Sequence, residues 1–408
     1  MKIVFVNRFF HPDHSATSQV LSQLAFELAE RGYNIEIIAS QLLYDDSTAR
    51  LPKSELLGNV RVHRVATTRF GRAWLPGRLL DYLSFYLSAS WAMLRVVKKA
   101  DILVAKTDPP LISLPAALVC ATKGASLVNW LQDIFPEVAQ ALGMKGMPPF
   151  LYRALGRLRN ASLNRAKANV VIGDNMRCGL LKQGLQTQAI HVIHNMAIDA
   201  VTSPIPASQA MLRREWGLEN HFVVGYSGNL GRAHDHQTML AAMRLLHARS
   251  DIHFVFIGGG ANMGKLRLAV EQEQLQNVSF KPYQPIELLS QSLAVADVHL
   301  VSLRPELEGL IVPSKFYGIL SAGRASTFIG AQSGELARLI KDFECGVTVE
   351  QGDPAALATS IEAMADTPDK AKAWGENARR AYEHHFTNKA IVDSWEATLK
   401  ALIPDSGA

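Results

Sequence analysis

The chain has 408 residues, 48% of them hydrophobic, which is enough for two folded domains of ordinary composition. Its cysteines, Cys120, Cys178 and Cys345, are far apart and lack a metal-binding spacing, which argues against a disulfide framework or a zinc site. Residues 1–200 carry 23 Lys and Arg against 14 Asp and Glu but no zinc finger or RNA-binding motif, so we expect an anionic ligand or surface rather than nucleic acid.

The first half of the chain alternates short β-branched runs with helical patterns. A helix is predicted over residues 18–31, where apolar residues share one face and Gly32 ends the pattern. Strands are predicted at residues 3–7, 35–39, 60–65, 102–105, 127–131, 169–172 and 191–194. This alternation predicts a parallel sheet that is covered by helices on both faces. We find neither a signal-peptide pattern nor a long apolar run, so a cytoplasmic location is expected.

The turn between the first strand and the first helix carries side chains that are candidates for contact with a substrate. His11 and His14 could donate to a sugar hydroxyl or a phosphate, and imidazole titrates near neutral pH. Ser15 and Thr17 add hydroxyl groups at the same strand end. A helix cap formed by Ser18 is the alternative explanation. A metal site would need a further ligand that the sequence does not supply, so no metal is expected.

Another strand end carries two carboxylates. Asp133 and Glu137 follow the strand predicted at residues 127–131, and general bases and hydroxyl-binding groups are often found at such positions. Asp133 could also cap a helix whose first turn holds Pro136 and Glu137. The two interpretations are compatible, and Asp133 is our catalytic candidate on the acceptor side.

The stretch from Trp74 to Lys99 combines aromatic and basic residues around an apolar helical pattern. This combination is typical of a helix that lies on an anionic lipid surface. A buried helix flanked by solvated charges is the alternative. Because the stretch belongs to the basic half of the chain, we favour contact of the N-terminal domain with the inner-membrane surface.

The pattern restarts after a connector at residues 200–207 that contains proline and serine. Strands are then predicted at residues 222–226, 253–257, 278–280, 298–303, 327–329 and 347–349. We therefore expect an N-terminal domain over residues 1–200 and a second domain over 201–385. Residues 386–408 are predicted to form a helix that packs back toward the N-terminal domain. The ligand site is expected at the strand ends of the two domains.

Glycine-rich turns open the second half. Gly228, Asn229 and Arg232 follow a predicted strand directly; glycine lets the backbone approach a ligand, and the planar guanidinium suits phosphate. An ordinary tight turn is the alternative. Gly258 begins another glycine run, whose spacing lacks the dinucleotide-binding fingerprint. We interpret that run as a turn beside a bound nucleotide.

The most informative loop joins the strand predicted at residues 298–303 to a helix predicted at residues 314–321. Lys315 lies in the first helical turn, where acids are usual, which suggests that a negative group such as phosphate accompanies it. Glu308 could hold the hydroxyl groups of the same ligand, and together they indicate a nucleotide sugar. The predicted set that binds the nucleotide sugar is completed by Gly309, Leu310 and Ile311, whose backbone amides are expected to receive the phosphate, and by Ser314 and Tyr283.

Several stretches, taken together and in order, resemble glycosyltransferase family 4 over nearly the whole chain. They are Phe10-His11-Pro12-Asp13, Ala16-Thr17-Ser18-Gln19, Thr107-Asp108-Pro109-Pro110, Gln132-Asp133-Ile134-Phe135-Pro136-Glu137, Ser227-Gly228-Asn229-Leu230-Gly231-Arg232-Ala233 and Val312-Pro313-Ser314-Lys315-Phe316-Tyr317-Gly318. The chain is most similar to the bacterial subgroup that builds capsule, O-antigen and exopolysaccharide repeat units, including colanic-acid-type and N-acetylfucosaminyl transferases. The resemblance implies the α/β GT-B architecture, in which two Rossmann-like, doubly wound parallel-sheet domains face a cleft.

The resemblance also implies a retaining, metal-independent transfer from a UDP- or GDP-linked sugar to a lipid-linked saccharide, without a cofactor. The second domain would bind the nucleotide and the first the acceptor. The chain departs from the two-acid motif of the family, because the position of the second acid is Gly318 and the first falls at Leu310, two residues after Glu308. The histidine that precedes Asp133 in other members is Gln132 here.

The phosphate-binding role is assigned by chemistry, because the Arg and Lys of the family pattern fall at Asn229 and His234. Arg232 and Lys315 take that role, and the predicted catalytic residues are therefore Asp133, Glu308, Arg232 and Lys315. Two other functions stay open. A nucleotide-sugar 2-epimerase shares the architecture and needs no acceptor, and a non-catalytic assembly component would agree with the acid missing at Gly318.

Overall fold

Two compact units divide the chain, and each is built on one sheet. The structure is a computed structural model that describes residues 1–44, 46, 48–71, 75–144, 147–197 and 203–403. Unit 1 comprises Met1–His194 and Ile391–Ala408, and unit 2 comprises Asn195–Ala390. Residues 200–202 of the predicted connector, and Trp74 of the predicted lipid-binding stretch, lie outside the described residues.

Unit 1 forms an 8-stranded sheet in the order β3-β4-β2-β1-β5-β6-β7-β8. Its strands are β1 (Ile3–Val6), β2 (Ile35–Ser40), β3 (Ser54–Leu57), β4 (Val60–Val65), β5 (Ile102–Lys106), β6 (Ser126–Leu131), β7 (Ala168–Val171) and β8 (Ile190–Val192). Its helices are α1 (Ala16–Glu30), α2 (Leu75–Val96), α3 (Ser113–Lys123), α4 (Glu137–Ala141), α5 (Pro149–Arg165) and α6 (Asp174–Lys182). Neighbouring strands pair in parallel except β3 with β4.

Unit 2 forms a 6-stranded parallel sheet in the order β11-β10-β9-β12-β13-β14. Its strands are β9 (Phe222–Asn229), β10 (Ile252–Gly259), β11 (Val278–Lys281), β12 (Val298–Ser302), β13 (Ala325–Ile329) and β14 (Gly346–Val349). Its helices are α7 (Met211–Glu215), α8 (Gln237–Leu245), α9 (Met263–Gln272), α10 (Leu289–Ala294), α11 (Lys315–Ser321), α12 (Glu335–Asp342), α13 (Pro354–Asp366) and α14 (Pro368–Ala381). A π-helical turn, Tyr382–Phe386, precedes the last helix, α15 (Asn388–Lys400), whose residues from Ile391 onward belong to unit 1.

The predicted architecture of two doubly wound sheets is confirmed. Each strand predicted from the sequence is present, and only its ends differ. The sequence analysis missed β3, which is a short antiparallel edge strand with no buried residue. Because none of its side chains is buried, it carries no hydrophobic periodicity by which it could be recognised.

In both units the strand order reverses beside the first strand. The reversal lies between β1 and β5 in unit 1 and between β9 and β12 in unit 2. Ligands of open α/β sheets bind beyond the carboxyl ends of the strands at such a point. The loops that follow these four strands carry most of the candidate site residues.

The last helix contributes a large aromatic side chain to unit 1. The indole of Trp395 packs edge-on against that of Trp130 on β6, with ring centroids 4.7 Å apart. On the same helix, Asp393 and Glu396 accept hydrogen bonds from the guanidinium of Arg31 at 2.6 and 2.7 Å. The helix therefore completes the core of unit 1 although it follows the whole of unit 2 in the sequence.

We expect Trp395→Ala to lower the free energy of unfolding by about 3–5 kcal/mol, because it leaves a cavity beside Trp130. Trp395 is 1% exposed, whereas Trp91 is 59% exposed and provides a matched control. Trp91→Ala is expected to change the free energy of unfolding by less than about 0.5 kcal/mol. Urea denaturation measures both. Equal losses in the two variants would contradict the packing role of Trp395.

Candidate active site

Loops of unit 2 meet at the carboxyl edge of its sheet. They follow β9, β10 and β12, which are neighbours with β9 in the middle. The first two strands stay paired to their ends, with Gly228 opposite Gly258 and Asn229 opposite Gly259. This pairing places the two glycine-rich turns side by side.

Glycine is required at two positions of these turns. Gly258 has a φ of +127°, and a Cβ there would lie 2.5 Å from the carbonyl oxygen of Gly228. Gly228 has a φ of +104°, and a Cβ there would lie 3.8 Å from Nζ of Lys315. A side chain at residue 258 would therefore collide with the neighbouring strand, and one at residue 228 would strain the backbone because of its positive φ.

The amine of Lys315 is buried and has no hydrogen-bond partner among the described residues. The residue as a whole is partly exposed, but its Nζ is shielded from solvent and lies 3.6 Å from the ring centroid of Tyr226. Burial holds the pKa of the amine well below its ordinary value. An uncompensated amine at a strand end is a group that a bound anion would stabilise.

His234 lies near this lysine and stays neutral. Its Nδ1 donates to the carbonyl oxygen of Ser302 at 2.6 Å. Burial, reinforced by the Lys315 amine, lowers the pKa of His234 to about 3. The imidazole is therefore uncharged at physiological pH and is held in one tautomer by the end of β12.

The loop before α11 corrects part of the sequence analysis. The amides of Leu310 and Ile311 donate to the carbonyl oxygen of Leu307 at 3.0 and 3.3 Å. The prediction that the amides of residues 309–311 receive the phosphate is therefore wrong for these two, because they are already bonded. Gly309 has a φ of +73° in this tight turn, and Ser314 precedes α11 without a side-chain cap.

Glu308 lies against the start of another helix. Its Oε2 accepts a hydrogen bond from the amide of Glu335, the first residue of α12, at 3.2 Å. A Cβ at Gly334 would lie 2.4 Å from its Oε1, so glycine is required there too. The carboxylate thus stabilises the positive end of α12, a contact that the sequence analysis did not foresee.

The remaining donor-side candidates stand at the rim of these loops. The ring of Tyr283 is exposed and lies across the paired glycines, 3.1 and 3.2 Å from the Cβ positions of Gly258 and Gly259. The carbonyl oxygen of Asn229 accepts from the hydroxyl of Tyr226 at 3.0 Å. Arg232 is exposed and makes neither a hydrogen bond nor an ion pair within the part of the chain that the structure describes.

In unit 1 the loops after β1, β5 and β6 are tied together by hydrogen bonds. The amide of Arg8 donates to the carbonyl oxygen of Asp108 at 2.6 Å, and the amide of Gln132 donates to the hydroxyl of Thr107 at 3.1 Å. The three strands are neighbours, so the loops lie at one edge. The candidate acceptor-side residues are distributed over the first and the third of these loops.

The loop after β1 is organised by Asp13, whose carboxylate was not singled out from the sequence. It accepts from the amide of Ser15 at 2.8 Å, from the hydroxyl of Ser15, and from the amide of Tyr44 at 2.5 Å. The hydroxyl of Ser15 was predicted to contact a ligand; because it donates to Asp13, it could still accept a hydrogen bond, and the contact stays a prediction. His11 and His14 are exposed, and burial and the charge of Arg64 lower the pKa of His11.

Asp133 is the site acid whose protonation the fold changes most. Burial, together with the carboxylate of Asp108, raises the pKa of Asp133 to about 7, although a hydrogen bond from Thr107 opposes the shift. Its Oδ1 is buried and has no hydrogen-bond partner in the described chain. Asp133 lines a small pocket with Lys106 and Arg159, so it can hold a proton or a ligand hydroxyl near neutral pH.

Glu137 was predicted on the acceptor side, and the structure gives it a structural partner instead. Its carboxylate accepts two hydrogen bonds from the buried guanidinium of Arg159, at 2.7 and 2.8 Å. Arg159 also donates to the carbonyl oxygen of Phe135 at 3.0 Å. This paired geometry uses both carboxylate oxygens and fixes the loop that carries Asp133.

The sequence analysis also missed Lys106, which ends β5 and is completely buried. Its Nζ donates to the carbonyl oxygen of Thr17 at 2.8 Å and lies 3.8 Å from the ring centroid of Trp130. Burial lowers the pKa of this amine well below its ordinary value. A lysine that closes an apolar run before Thr107 and Asp108 was the available signal. Among the described residues, His, Cys, Asp and Glu nowhere cluster in a group that could hold a metal ion.

Comparison with known families identifies both halves of the chain. The family model for group 1 glycosyl transferases matches residues 208–381, and that for the glycosyl transferase 4-like domain matches residues 15–196. A relative from Pseudomonas aeruginosa, the probable glycosyltransferase WbjE, is 25% identical over 311 residues, which span 76% of each chain.

Solved structures share the fold over the whole length. Anabaena HepE, in complex with UDP and glucose, superposes with a TM-score of 0.74 at 17% identity, covering 98% of this chain and 100% of HepE. Sucrose-phosphate synthase from Thermosynechococcus elongatus superposes with a TM-score of 0.77 at 15% identity over 100% of both chains. The likeness to these two solved structures is one of fold.

We expect Asp133→Asn to stabilise the protein at about pH 8 and to have less effect at about pH 5. The folded-state pKa of Asp133 lies above its ordinary value, so the charged carboxylate lowers stability progressively as the pH rises toward 7. An isosteric neutral amide removes that penalty. Urea midpoints at the two pH values measure the difference. Asp13→Asn is the control. It should destabilise the protein at both pH values, because it removes a carboxylate that accepts hydrogen bonds from Ser15 and Tyr44. A pH-independent effect of Asp133→Asn would contradict the prediction.

We expect Lys315→Met to raise the free energy of unfolding of the ligand-free protein by about 1–3 kcal/mol, because it replaces an unpartnered buried amine with an apolar chain of similar length. The gain should shrink as the pH rises toward the ordinary lysine pKa, since the unfolded lysine then loses its proton as well. Lys106→Met is the control: its amine has a partner, so that variant should be less stable than Lys315→Met. Urea denaturation at two pH values measures the stability of both variants. A loss of stability in Lys315→Met would contradict the description of Lys315 as a buried amine without a partner.

Proposed function

This chain belongs to the glycosyltransferases with the GT-B fold, and from that premise we propose that it moves a sugar from a nucleoside-diphosphate donor to a lipid-linked saccharide in surface polysaccharide synthesis. The proposed donor is UDP- or GDP-linked. The support for an acceptor of this kind is the resemblance of the sequence motifs to the transferases of capsule, O-antigen and exopolysaccharide repeat units.

The observation that carries the donor site is the buried amine of Lys315 beside the bare backbone of Gly228. A diphosphate would supply the negative charge that the amine lacks and would restore its proton. Because Nζ is covered by Tyr226 in the ligand-free chain, the flexible stem of the lysine would swing out to meet the phosphate. The Anabaena HepE structure, which is a complex with UDP and glucose, has the same fold, and this likeness supports a nucleotide ligand.

The exposed groups at the rim complete the proposed donor site. The ring of Tyr283 offers a flat face beside Gly258 and Gly259 on which a nucleobase could stack. Arg232 has no protein partner among the described residues, so its guanidinium is available to the phosphates. In this proposal the amides of Leu310 and Ile311 shape the loop and do not bind the anion.

The proposed reaction breaks the bond between the anomeric carbon and the diphosphate. Lys315 and Arg232 stabilise the negative charge that develops on the leaving oxygen, without a metal ion. Glu308 holds hydroxyl groups of the sugar while its other oxygen stays with α12. The acceptor hydroxyl attacks from the side that the diphosphate leaves and transfers its proton to the departing phosphate, so the configuration is retained.

Asp133 is proposed to position the acceptor. A carboxyl group with a pKa of about 7 and a buried, unpartnered Oδ1 can accept a hydrogen bond from a sugar hydroxyl. The exposed His11 and His14 would contribute further contacts in unit 1. Thr17 supports the same loop, because its carbonyl oxygen receives the hydrogen bond from Lys106.

We expect Lys315→Ala and Arg232→Ala each to lower turnover on the order of 100-fold or more, since each removes a charge that stabilises the leaving diphosphate. Lys341→Ala is the matched control, because Lys341 is an exposed lysine on α12 of the same unit. Turnover is measured as nucleoside diphosphate released from UDP-, GDP- and dTDP-sugars with a membrane extract as the acceptor source. Near-normal turnover in both variants would exclude this site. Thermal shifts with UDP and GDP test binding separately, because a ligand of the folded state raises the melting temperature.

A further inference from the structure

Helix α2 is apolar on two opposite faces. One face, which includes Phe85, Ala89 and Met93, is buried and belongs to the core beneath the sheet. The other face carries Leu80, Leu83, Leu87, Trp91 and Leu94, all of them exposed, at intervals of three or four residues. We call this set the exposed stripe. Among the described residues of unit 1 no packing partner covers the exposed stripe, so their packing does not explain its apolar residues.

The helices beside α2 extend the apolar surface. Helix α3 packs against both α2 and α5, so the three helices form one layer on unit 1. In that layer Leu118 of α3 and Phe150 and Leu158 of α5 are also at least half exposed. An apolar surface of this extent on three adjacent helices indicates a binding surface rather than scattered exposed residues.

The charge of the same three helices has one sign. Apart from Arg159, which is buried and paired with Glu137, their basic residues are Arg78, Arg95, Lys123, Arg153, Arg157 and Arg165, and Lys98 and Lys99 follow α2. Asp81 is their only acid and is buried, where it accepts from the amides of Phe70 and Gly71 at 3.0 and 3.1 Å. The layer therefore presents apolar groups and positive charge to its surroundings, with no carboxylate of its own to balance them.

We propose that the layer of α2, α3 and α5 docks on an anionic lipid surface, with the exposed stripe inserted among the acyl chains and the basic residues at the headgroups. A helix with these features lies in the interface plane. Among the described helices none is long and apolar enough to span a membrane. Trp91, with the guanidinium of Arg95 4.6 Å from its ring centroid, suits the headgroup region, where amphipathic aromatic groups are favoured.

A second copy of the chain is a poorer occupant. A symmetric contact through this layer would bring the same basic residues of both copies together, and like charges across an interface oppose association. The inference deepens the proposed function and rests on it in one respect, since a lipid-linked acceptor would be met at such a surface. Its test measures lipid binding and does not require turnover.

The test is flotation of the full chain with vesicles of phosphatidylcholine alone and with vesicles of equal parts phosphatidylcholine and phosphatidylglycerol. We expect binding to the anionic vesicles only, weakened by added salt. Leu83→Ser/Leu87→Ser should lower the partition coefficient on the order of tenfold or more, because it removes two inserted side chains that are 53% and 67% exposed. Lys98→Gln/Lys99→Gln should weaken binding to anionic vesicles as salt does.

Matched controls lie in unit 2. Leu245→Ser/Leu268→Ser changes two leucines that are 58% and 59% exposed, and Lys265→Gln/Lys341→Gln changes two exposed lysines. Both should bind vesicles like the original chain. Absence of vesicle binding, equal binding to neutral vesicles, or equal losses in the controls would overturn the proposal. A dimer in sedimentation velocity that Leu83→Ser/Leu87→Ser abolishes would overturn it in favour of a second copy.

Turnover on a water-soluble saccharide acceptor separates this inference from the proposed function. Leu83→Ser/Leu87→Ser should retain that turnover while it loses vesicle binding, because neither leucine belongs to the candidate site. A chain that binds anionic vesicles and transfers no sugar would refute the function and leave the docking surface standing. A chain that transfers sugar and does not bind vesicles would support the function and refute the docking surface.

Discussion

The burial of a lysine amine at a strand-end loop is the constraint that organises both units. Lys106 and Lys315 each lie with Nζ less than 4 Å from the centroid of an aromatic ring, that of Trp130 or Tyr226. Removing an amine from water is costly unless a partner replaces the lost hydration. Lys106 has such a partner in the carbonyl oxygen of Thr17, which fixes the start of α1 to the end of β5. Lys315 has none among the described residues. A buried lysine therefore joins two segments by a hydrogen bond in unit 1, whereas the buried lysine of unit 2 has an amine without a hydrogen-bond partner among the described residues.

The acids around these lysines are divided between structural and chemical uses. Asp13 organises the loop after β1, Glu137 pairs with Arg159, and Glu308 receives the first amide of α12. Each of these carboxylates accepts at least one hydrogen bond from an N–H group, which fixes the position of its side chain. Asp133 differs, because burial favours its neutral form and leaves Oδ1 unpartnered. A group whose protonation state is balanced near neutral pH is suited to contact a ligand. Asp133 therefore stays the catalytic candidate on this loop, whereas the predicted acceptor-side residue Glu137 is paired with Arg159.

The sequence predicts the architecture well and the partners of its side chains poorly. The periodic apolar runs identify the buried strands, and the positions of Lys315 and Asp133 after such strands place them at the correct edge of their sheets. Partners are set by segments that are distant in sequence, such as the pairing of Glu308 with the amide of Glu335 or of Arg159 with Glu137. No local pattern encodes these contacts. The availability of the Leu310 and Ile311 amides was misjudged for a related reason. Both amides donate to the carbonyl oxygen of Leu307 in a turn, and hydrophobic periodicity does not predict such a turn.

Helix α2 shows where the hydrophobic pattern itself becomes ambiguous. A helix that is apolar on two faces has a weak periodicity, so the sequence is equally typical of a fully buried helix and of one that meets lipid. The fold decides between them, because the core of unit 1 buries only the face of Phe85 and Met93. The leucines of the exposed stripe are then in excess of what the core uses. Exposed apolar groups carry an aggregation cost in water, and the proposed docking on an anionic lipid surface would explain why they occur beside positive charge.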